Sequence, residues 1–310
     1  MKKIFKKIFY LIGIGIFLFI SCADSIEKVP NVESNLVPGL QGSGFFEFTS
    51  FESLAKQPVK VFFHIPVNCT ASTPIVFLFH GDDRNAIDYR NALISKSEAL
   101  NFIILAPEFS EVFYPTGDKY NLGNVFVDGD NPSVFTLNPE EKWTFSIIEP
   151  IFDYFKKSLL LSSNTYDIIG HSAGGQFAHR FMMFKPKARY NTVVASASGW
   201  YTLTDLNVDF PYGLKKSSIE NLSFSSLFGK KLYIQVGLED TDPNSAGLRH
   251  NDQADVQGFS RLARANYFFN FAKSKALQNN LNFQWKLSTV NGLDHNYIPA
   301  VNYAADLIFN

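Results

Sequence analysis

The chain has 310 residues, 46% of them hydrophobic and 18% charged, and a formal net charge of −1. That length and balance describe a folded domain with a large core and exclude a disordered chain. A near-neutral charge, with no basic stripe interleaved with aromatics, excludes a nucleic-acid partner. The 32 phenylalanines are spread through predicted strands and helices and read as core.

The first segment, "MKKIFKKIFYLIGIGIFLFISC", joins a basic stretch (Lys2, Lys3, Lys6, Lys7) to an apolar run ending at Ile20. The run is too short to span a bilayer and fits the apolar core of a signal peptide. Ser21-Cys22 at its end resembles the lipobox of bacterial lipoproteins, which implies that Cys22 is acylated and becomes the mature N-terminus. Residues 1–21 are thus expected to be a lipoprotein signal peptide, and the lipid anchor places the protein on a membrane of the bacterial envelope. Cleavage removes four lysines and no acid, leaving a mildly acidic body. Residues 22–44, with Pro30, Pro38 and "GLQGSG", read as a polar tether. Only Cys69 remains besides Cys22, so no disulfide framework is expected, and Cys69 reads as a packed thiol.

Residues 45–310 read as one domain. Strand-like runs occur at "FFEFTSF", "VKVFFHIPV", "PIVFLFH", "FIILAPE", "TYDIIG", "NTVVASAS", "KLYIQVG" and "FQWKLSTV". Helical patterns fall between the later ones, including one from Pro139 to Leu159, with Asn138 as its expected N-cap. Two leading strands followed by strand-helix alternation predict an α/β fold, a mainly parallel eight-stranded sheet with helices on both faces. Two long segments, Ser110–Asn138 and Gly199–Gly229, interrupt the rhythm and are expected to wall a substrate pocket. Tyr120, Asn121 and Trp200 are the residues expected to line it.

The chemistry concentrates at Gly170-His171-Ser172-Ala173-Gly174. G-x-S-x-G between a strand and a helix is the setting of a nucleophile elbow, a strained turn that lifts the serine oxygen above the sheet. The N–H of Ala173 at the helix start would face a developing oxyanion, and Asp82 in "FLFHGDD" is expected to supply a second N–H. His80 reads as an organiser of that loop, and His171 as turned away from the reacting centre. His179, His64 and His250 read as structural. A serine needs a base and an orienting acid. His295 lies beyond the last predicted strand, and "GLEDTD" beyond the preceding one offers Glu239, Asp240 and Asp242, with Asp240 favoured. No Cys/His/Asp cluster has metal-ligand spacing and no glycine-rich loop fits a phosphate, so no cofactor is expected.

With "VFLFHGDDRNAIDYRN", "ILAPEFS", "YNLGNVF", "GHSAGGQFAHRFM", "VGLEDTDPN" and "NGLDHN" in this order, the chain resembles the α/β-hydrolase superfamily. Within it, the chain most resembles the esterases similar to polyhydroxyalkanoate depolymerases and feruloyl esterases. The resemblance covers Phe45 to Asn310. It implies Ser172 as nucleophile, Asp240 as acid and His295 as base. The expected activity is therefore hydrolysis of a small or oligomeric carboxylic ester through an acyl-enzyme. A peptidase or amidase on the same fold, and a catalytically silent surface binding protein, are the alternatives.

Overall fold

The computed structural model describes residues 40–310, so the expected signal peptide, Cys22 and most of the tether lie outside the described residues. The domain begins earlier than expected. Strand β1 (Gly42–Phe48) opens three residues inside the predicted tether, where backbone pairing of Gly42 with Ile65 extends the sheet.

β1 pairs antiparallel with β2 (Val59–Ile65), and β2 antiparallel with β4 (Ile103–Glu108). The remaining strands are parallel: β3 (Ile75–Phe79), β5 (Tyr166–His171), β6 (Tyr190–Ser196), β7 (Lys231–Gly237) and β8 (Lys286–Val290). The order across the eight-stranded sheet is β1-β2-β4-β3-β5-β6-β7-β8. Among the described residues the α-helices are α1 (Ala86–Leu100), α2 (Thr116–Lys119), α3 (Ile148–Ser158), α4 (Ala173–Phe184), α5 (Phe224–Phe228), α6 (Asp252–Asp255) and α7 (Arg261–Gln278), which lie between strands, and α8 (Tyr297–Phe309), which follows the last one.

Successive strand residues serve opposite faces, as the pleat requires. Phe77, Ile103, Leu105, Ile168 and Val193 pack with α3, α4 and α7, whereas Val76, Ile104, Ile169 and Val194 pack with α1 and α8. Both faces of the sheet are therefore covered, and the central strands read as continuous apolar runs. The chain winds from β3 outward to β4 and then returns to place β5 on the other side of β3. This reversal opens a crevice beyond the carboxyl ends of β3 and β5, where open α/β sheets bind ligands.

The expected long helix from Pro139 is not formed. Two short 3-10 turns (Glu140–Lys142 and Thr144–Ile147) precede α3, and Asn138 donates its amide to the Asn124 carbonyl instead of capping. Pro150 supplies the reason. It sits in the first turn of α3, where a missing N–H costs nothing, but it would break a helix running through from residue 139. No helix among the described residues is long and apolar enough to cross a membrane.

Candidate active site

Ser172 stands between β5 and α4 with φ 56° and ψ −117°, a conformation costly for any residue with a side chain. Its neighbours make the turn possible. A Cβ on Gly174 would lie 2.1 Å from the Phe79 carbonyl oxygen, so only glycine lets α4 start this close to β3. The turn is pinned by Ser172 N–H donating to the Ser196 carbonyl at 2.9 Å.

The loop after β7 carries Asp240 and the loop after β8 carries His295, and backbone contacts knit the two together. Gly237 packs so tightly that an added Cβ would sit 1.9 Å from the Leu293 carbonyl oxygen. Glu239 N–H donates to that same carbonyl at 2.9 Å. Asp240, 4% exposed, accepts from His295 Nδ1 on Oδ2 at 2.8 Å. A carboxylate only accepts, so the proton resides on Nδ1, and His295 Nε2 is left to accept from Ser172 Oγ at 3.1 Å. Ser172, His295 and Asp240 are thus brought into one hydrogen-bonded line from three separate loops. Asp242 is elsewhere: its carboxylate accepts from Asn244 N–H at 2.8 Å within its own turn.

A cavity of about 610 Å³ opens over Ser172, with Asp82, Ala173, Asn121 and Trp200 in its wall. Ala173 is the first residue of α4, so its N–H has no carbonyl partner within the helix. Gly81, just before Asp82, lies beside the serine: a Cβ there would be 3.8 Å from Ser172 Cβ. His80 organises this loop as expected. Its Nε2 accepts from Phe109 N–H at 3.1 Å, which leaves Nδ1–H to donate to the Gly81 carbonyl at 2.8 Å.

Three expectations are corrected here. Tyr120 does not line the cavity: it is fully buried, stacked on His80 at 4.7 Å, with its hydroxyl donating to the His80 carbonyl at 2.6 Å. It supports the loop that carries Asp82 from behind. His171 is not turned away. Its ring lies 4.8 Å from that of His295, its Nδ1 is 2.9 Å from the Tyr89 hydroxyl, and it lines the cavity. The segment 199–229 contributes Gly199 and Trp200 to the wall, while Phe210 and Leu214 pack into the core. A third loop supplies the rest of that side through Ser245, Ala246, Gly247 and Arg249, joined by Arg261 of α7. Sequence reasoning missed these and also Gln176. Of all of them only Gln176 had a legible signal, because it stands one helical turn after Ser172 on the same face.

Arg261 braces the acid. It is 2% exposed, its Nη1 is 3.5 Å from Asp240 Oδ1, and it donates to Ser245 Oγ at 2.6 Å. His179 is structural, accepting from Thr202 N–H at 3.1 Å and donating to the Gly175 carbonyl at 3.0 Å. His64 bridges Ser43 and Glu98, and His250 binds Asp255 and the Pro243 carbonyl. Cys69 is half-buried against the core rather than fully packed, and that burial is the first cause that pushes its thiol up.

No protein-family model matches the chain, and no curated protein sequence does. Solved structures do. Poly(aspartic acid) hydrolase-1 from Sphingomonas sp. KT-1 is 37% identical over 87% of this chain and 99% of its own, with a TM-score of 0.82. The chain belongs to the α/β-hydrolase superfamily. A poly(3-hydroxybutyrate) depolymerase from Bordetella parapertussis is 28% identical over 87% of this chain and 90% of its own, with a TM-score of 0.81. An S-formylglutathione hydrolase from Agrobacterium tumefaciens, 15% identical over 90% of this chain and 97% of its own with a TM-score of 0.54, shares the fold. For this α/β-hydrolase the coarse function is hydrolysis.

Burial makes three histidines of this α/β-hydrolase, His80, His171 and His179, sensitive to acid. Burial is the first cause that lowers His80, to about 3, and it also pulls His171 and His179 well below the ordinary value of 6.5. The native state holds these rings neutral while the unfolded chain takes up protons below about pH 6.5. Stability is therefore full above that pH and falls as pH drops, for His80 down to about pH 3. Each such ring contributes about 1.4 kcal/mol per pH unit over its window. Urea midpoints should fall clearly between pH 7 and pH 5; unchanged midpoints would mean that these rings are already charged in the native state.

Proposed function

We propose that the protein is a serine hydrolase of carboxylic esters in which Ser172, His295 and Asp240 act as a triad. The observation that carries this is the unbroken line from Ser172 Oγ through His295 to Asp240, at 3.1 and 2.8 Å. Ser172 Oγ attacks the ester carbonyl carbon as its proton passes to His295 Nε2. The N–H groups of Asp82 and Ala173 hold the oxyanion. Collapse breaks the bond to the alcohol oxygen, which takes the proton from His295. Water then attacks the acyl-enzyme, giving its proton to His295 Nε2, and the acid leaves as Ser172 Oγ recovers that proton. Asp240 keeps Nδ1 protonated and stabilises the imidazolium formed twice in the cycle.

A fluorophosphonate probe should label the protein, and the label should vanish in Ser172→Ala. Labelling that persists in Ser172→Ala would place the nucleophile elsewhere, and no labelling at all would favour a silent binding protein. A series of p-nitrophenyl esters, with feruloyl, acetyl-sugar and hydroxyalkanoate esters beside it, then ranks substrates.

Amide hydrolysis is the second reading, favoured by the 37% identity to a poly(aspartic acid) hydrolase. The same residues serve, except that His295 must protonate a leaving amine. Release of new amine termini from poly(aspartic acid) at a kcat/KM above that for every ester would make the protein an amidase.

The expected lipid anchor at Cys22 is retained as part of the proposal. Two or three acyl chains, at about 0.8 kcal/mol per buried methylene, hold a protein far more firmly than one. Cys22→Ser should abolish acylation of the mature N-terminus in intact-mass spectra. An acylated protein that still carries Cys22→Ser would exclude this residue.

A further inference from the structure

One turn into α4, Gln176 is 7% exposed and its side-chain oxygen is used twice. It accepts from Asn121 Nδ2 at 3.0 Å and from Arg180 Nη1 at 3.1 Å. The amide is therefore held in one orientation, with Nε2 over Gly199, where an added Cβ would meet it at 2.9 Å. Gln176, Gly199 and Ser172 all line the cavity, and Nε2 has no acceptor among the described residues.

Arg180 lies behind Gln176 and is fully buried. Its partners are all neutral: Thr202 Oγ1 at 2.9 Å, the Asn121 carbonyl at 3.0 Å, and Gln176. Its Nη2 has no partner among the described residues. Burial lowers its proton affinity, yet a guanidinium stays charged at physiological pH. It stacks on Trp200 at 4.1 Å, and Arg249 approaches the same indole at 5.2 Å. Among the described residues Arg249 uses only Nη1, for Asp130 at 2.7 Å and the Tyr212 hydroxyl at 3.0 Å. The two guanidinium groups that lie against this indole thus share one carboxylate, Asp130, which pairs with Arg249. The other carboxylates of the cavity are Asp82, Asp83 and Asp118, and Asp118 adjoins this cluster, standing three residues before Asn121 and bonded to Gly129 beside Asp130. Asp82 and Asp83 follow β3, and Asp118 is engaged by Gly129 N–H and the Thr116 hydroxyl.

We propose that Gln176 Nε2 and the free edge of Arg249 form a subsite for a carboxylate carried by the substrate near the scissile bond. Arg180 supports it from behind as fixed positive charge. The inference rests on Ser172 being the reacting centre. A carboxylate offers the paired acceptor oxygens that an amide N–H and a guanidinium edge both want. It also neutralises the one uncompensated charge of the cluster, which a neutral carbonyl would leave buried and unpaired.

Calorimetry of monomethyl succinate and dimethyl succinate against full-length Ser172→Ala tests the subsite without turnover. The acid ester should bind at least roughly tenfold more tightly, the scale of one hydrogen bond to a charged group. Adding Arg249→Gln, on the surface side, or Gln176→Leu should remove roughly that factor, and Asp130→Asn should increase the preference by freeing Arg249. Equal affinities, or none for either ester, overturn the subsite; Ser172-dependent turnover of p-nitrophenyl acetate would then still leave the hydrolase reading standing. Carboxylate-selective binding in a wild-type protein that turns over no ester or amide supports the subsite and overturns the hydrolase reading instead.

Discussion

Ser172→Ala should lower ester turnover by about a million-fold, the scale of losing a nucleophile that works as part of a unit. The fold should survive. The side chain is small, the turn is held by backbone bonds from Ser172 N–H to Ser196 and from Gln176 N–H to Ser172, and alanine fits the same space. Replacing a hydroxyl by hydrogen at φ 56° leaves the backbone cost where it was. His295→Ala should be nearly as damaging, because among the described residues no other side chain hydrogen-bonds Ser172 Oγ to take its proton. The double variant should be little worse than either single one, since each already removes the concerted step. Circular dichroism beside the kinetics separates chemistry from unfolding. A loss of only a few-fold in Ser172→Ala, with labelling by fluorophosphonate intact, would show that another group attacks.

The second large effect is expected at the acid. Asp240→Asn should cost about ten-thousand-fold at neutral pH, through the wrong histidine tautomer. Arg261 makes this outcome specific to this site. Its Nη1 lies 3.5 Å from Asp240 Oδ1, on the side away from His295. An asparagine placed there turns its oxygen toward the guanidinium and its amide N–H toward His295 Nδ1. That nitrogen must then accept, which moves the ring proton to Nε2 and leaves nothing to take the proton of Ser172 Oγ. Asp242→Asn should stay within a few-fold of wild type, because an asparagine oxygen still accepts from Asn244 N–H in the same turn. Both variants measured side by side from pH 6 to 9 decide the point. If Asp242→Asn were the inactive one, the orienting carboxylate would be two residues downstream.

Much of this architecture was legible along the chain because it is written in short-range terms. Apolar runs broken by glycine and asparagine predicted the eight strands in order, since strands covered on both faces are mostly apolar; the one carboxylate inside β5, Asp167, is buried with Thr192 N–H and the Asn191 amide as donors. The elbow was legible because its demands are local: Gly170, Ser172 and Gly174 stand together in sequence as they do in space. The positions of Asp240 and His295 followed from loops at strand ends. The start of α3 was misjudged because periodicity continues through residues 139–147, while Pro150 permits a helix only from Ile148 onward.

The sequence favoured Asp240 over Glu239 and Asp242, and tertiary structure is where that carboxylate is seen to meet the histidine, in a tight turn against Leu293. Tertiary structure alone decided that Tyr120 is a buried support for the loop after β3, and that His171 lies against His295. The same holds for the cluster of Gln176, Arg180, Trp200 and Arg249. These residues are up to 73 positions apart, and although Trp200 was expected in the pocket wall and Gln176 follows Ser172 by one helical turn, no local pattern shows that the four meet. They meet because α4 starts, and the loops after β6 and β7 leave, at the carboxyl ends of the strands. Strand order sets that convergence, and strand order depends on which apolar faces pack together, a property of the whole chain rather than of any segment.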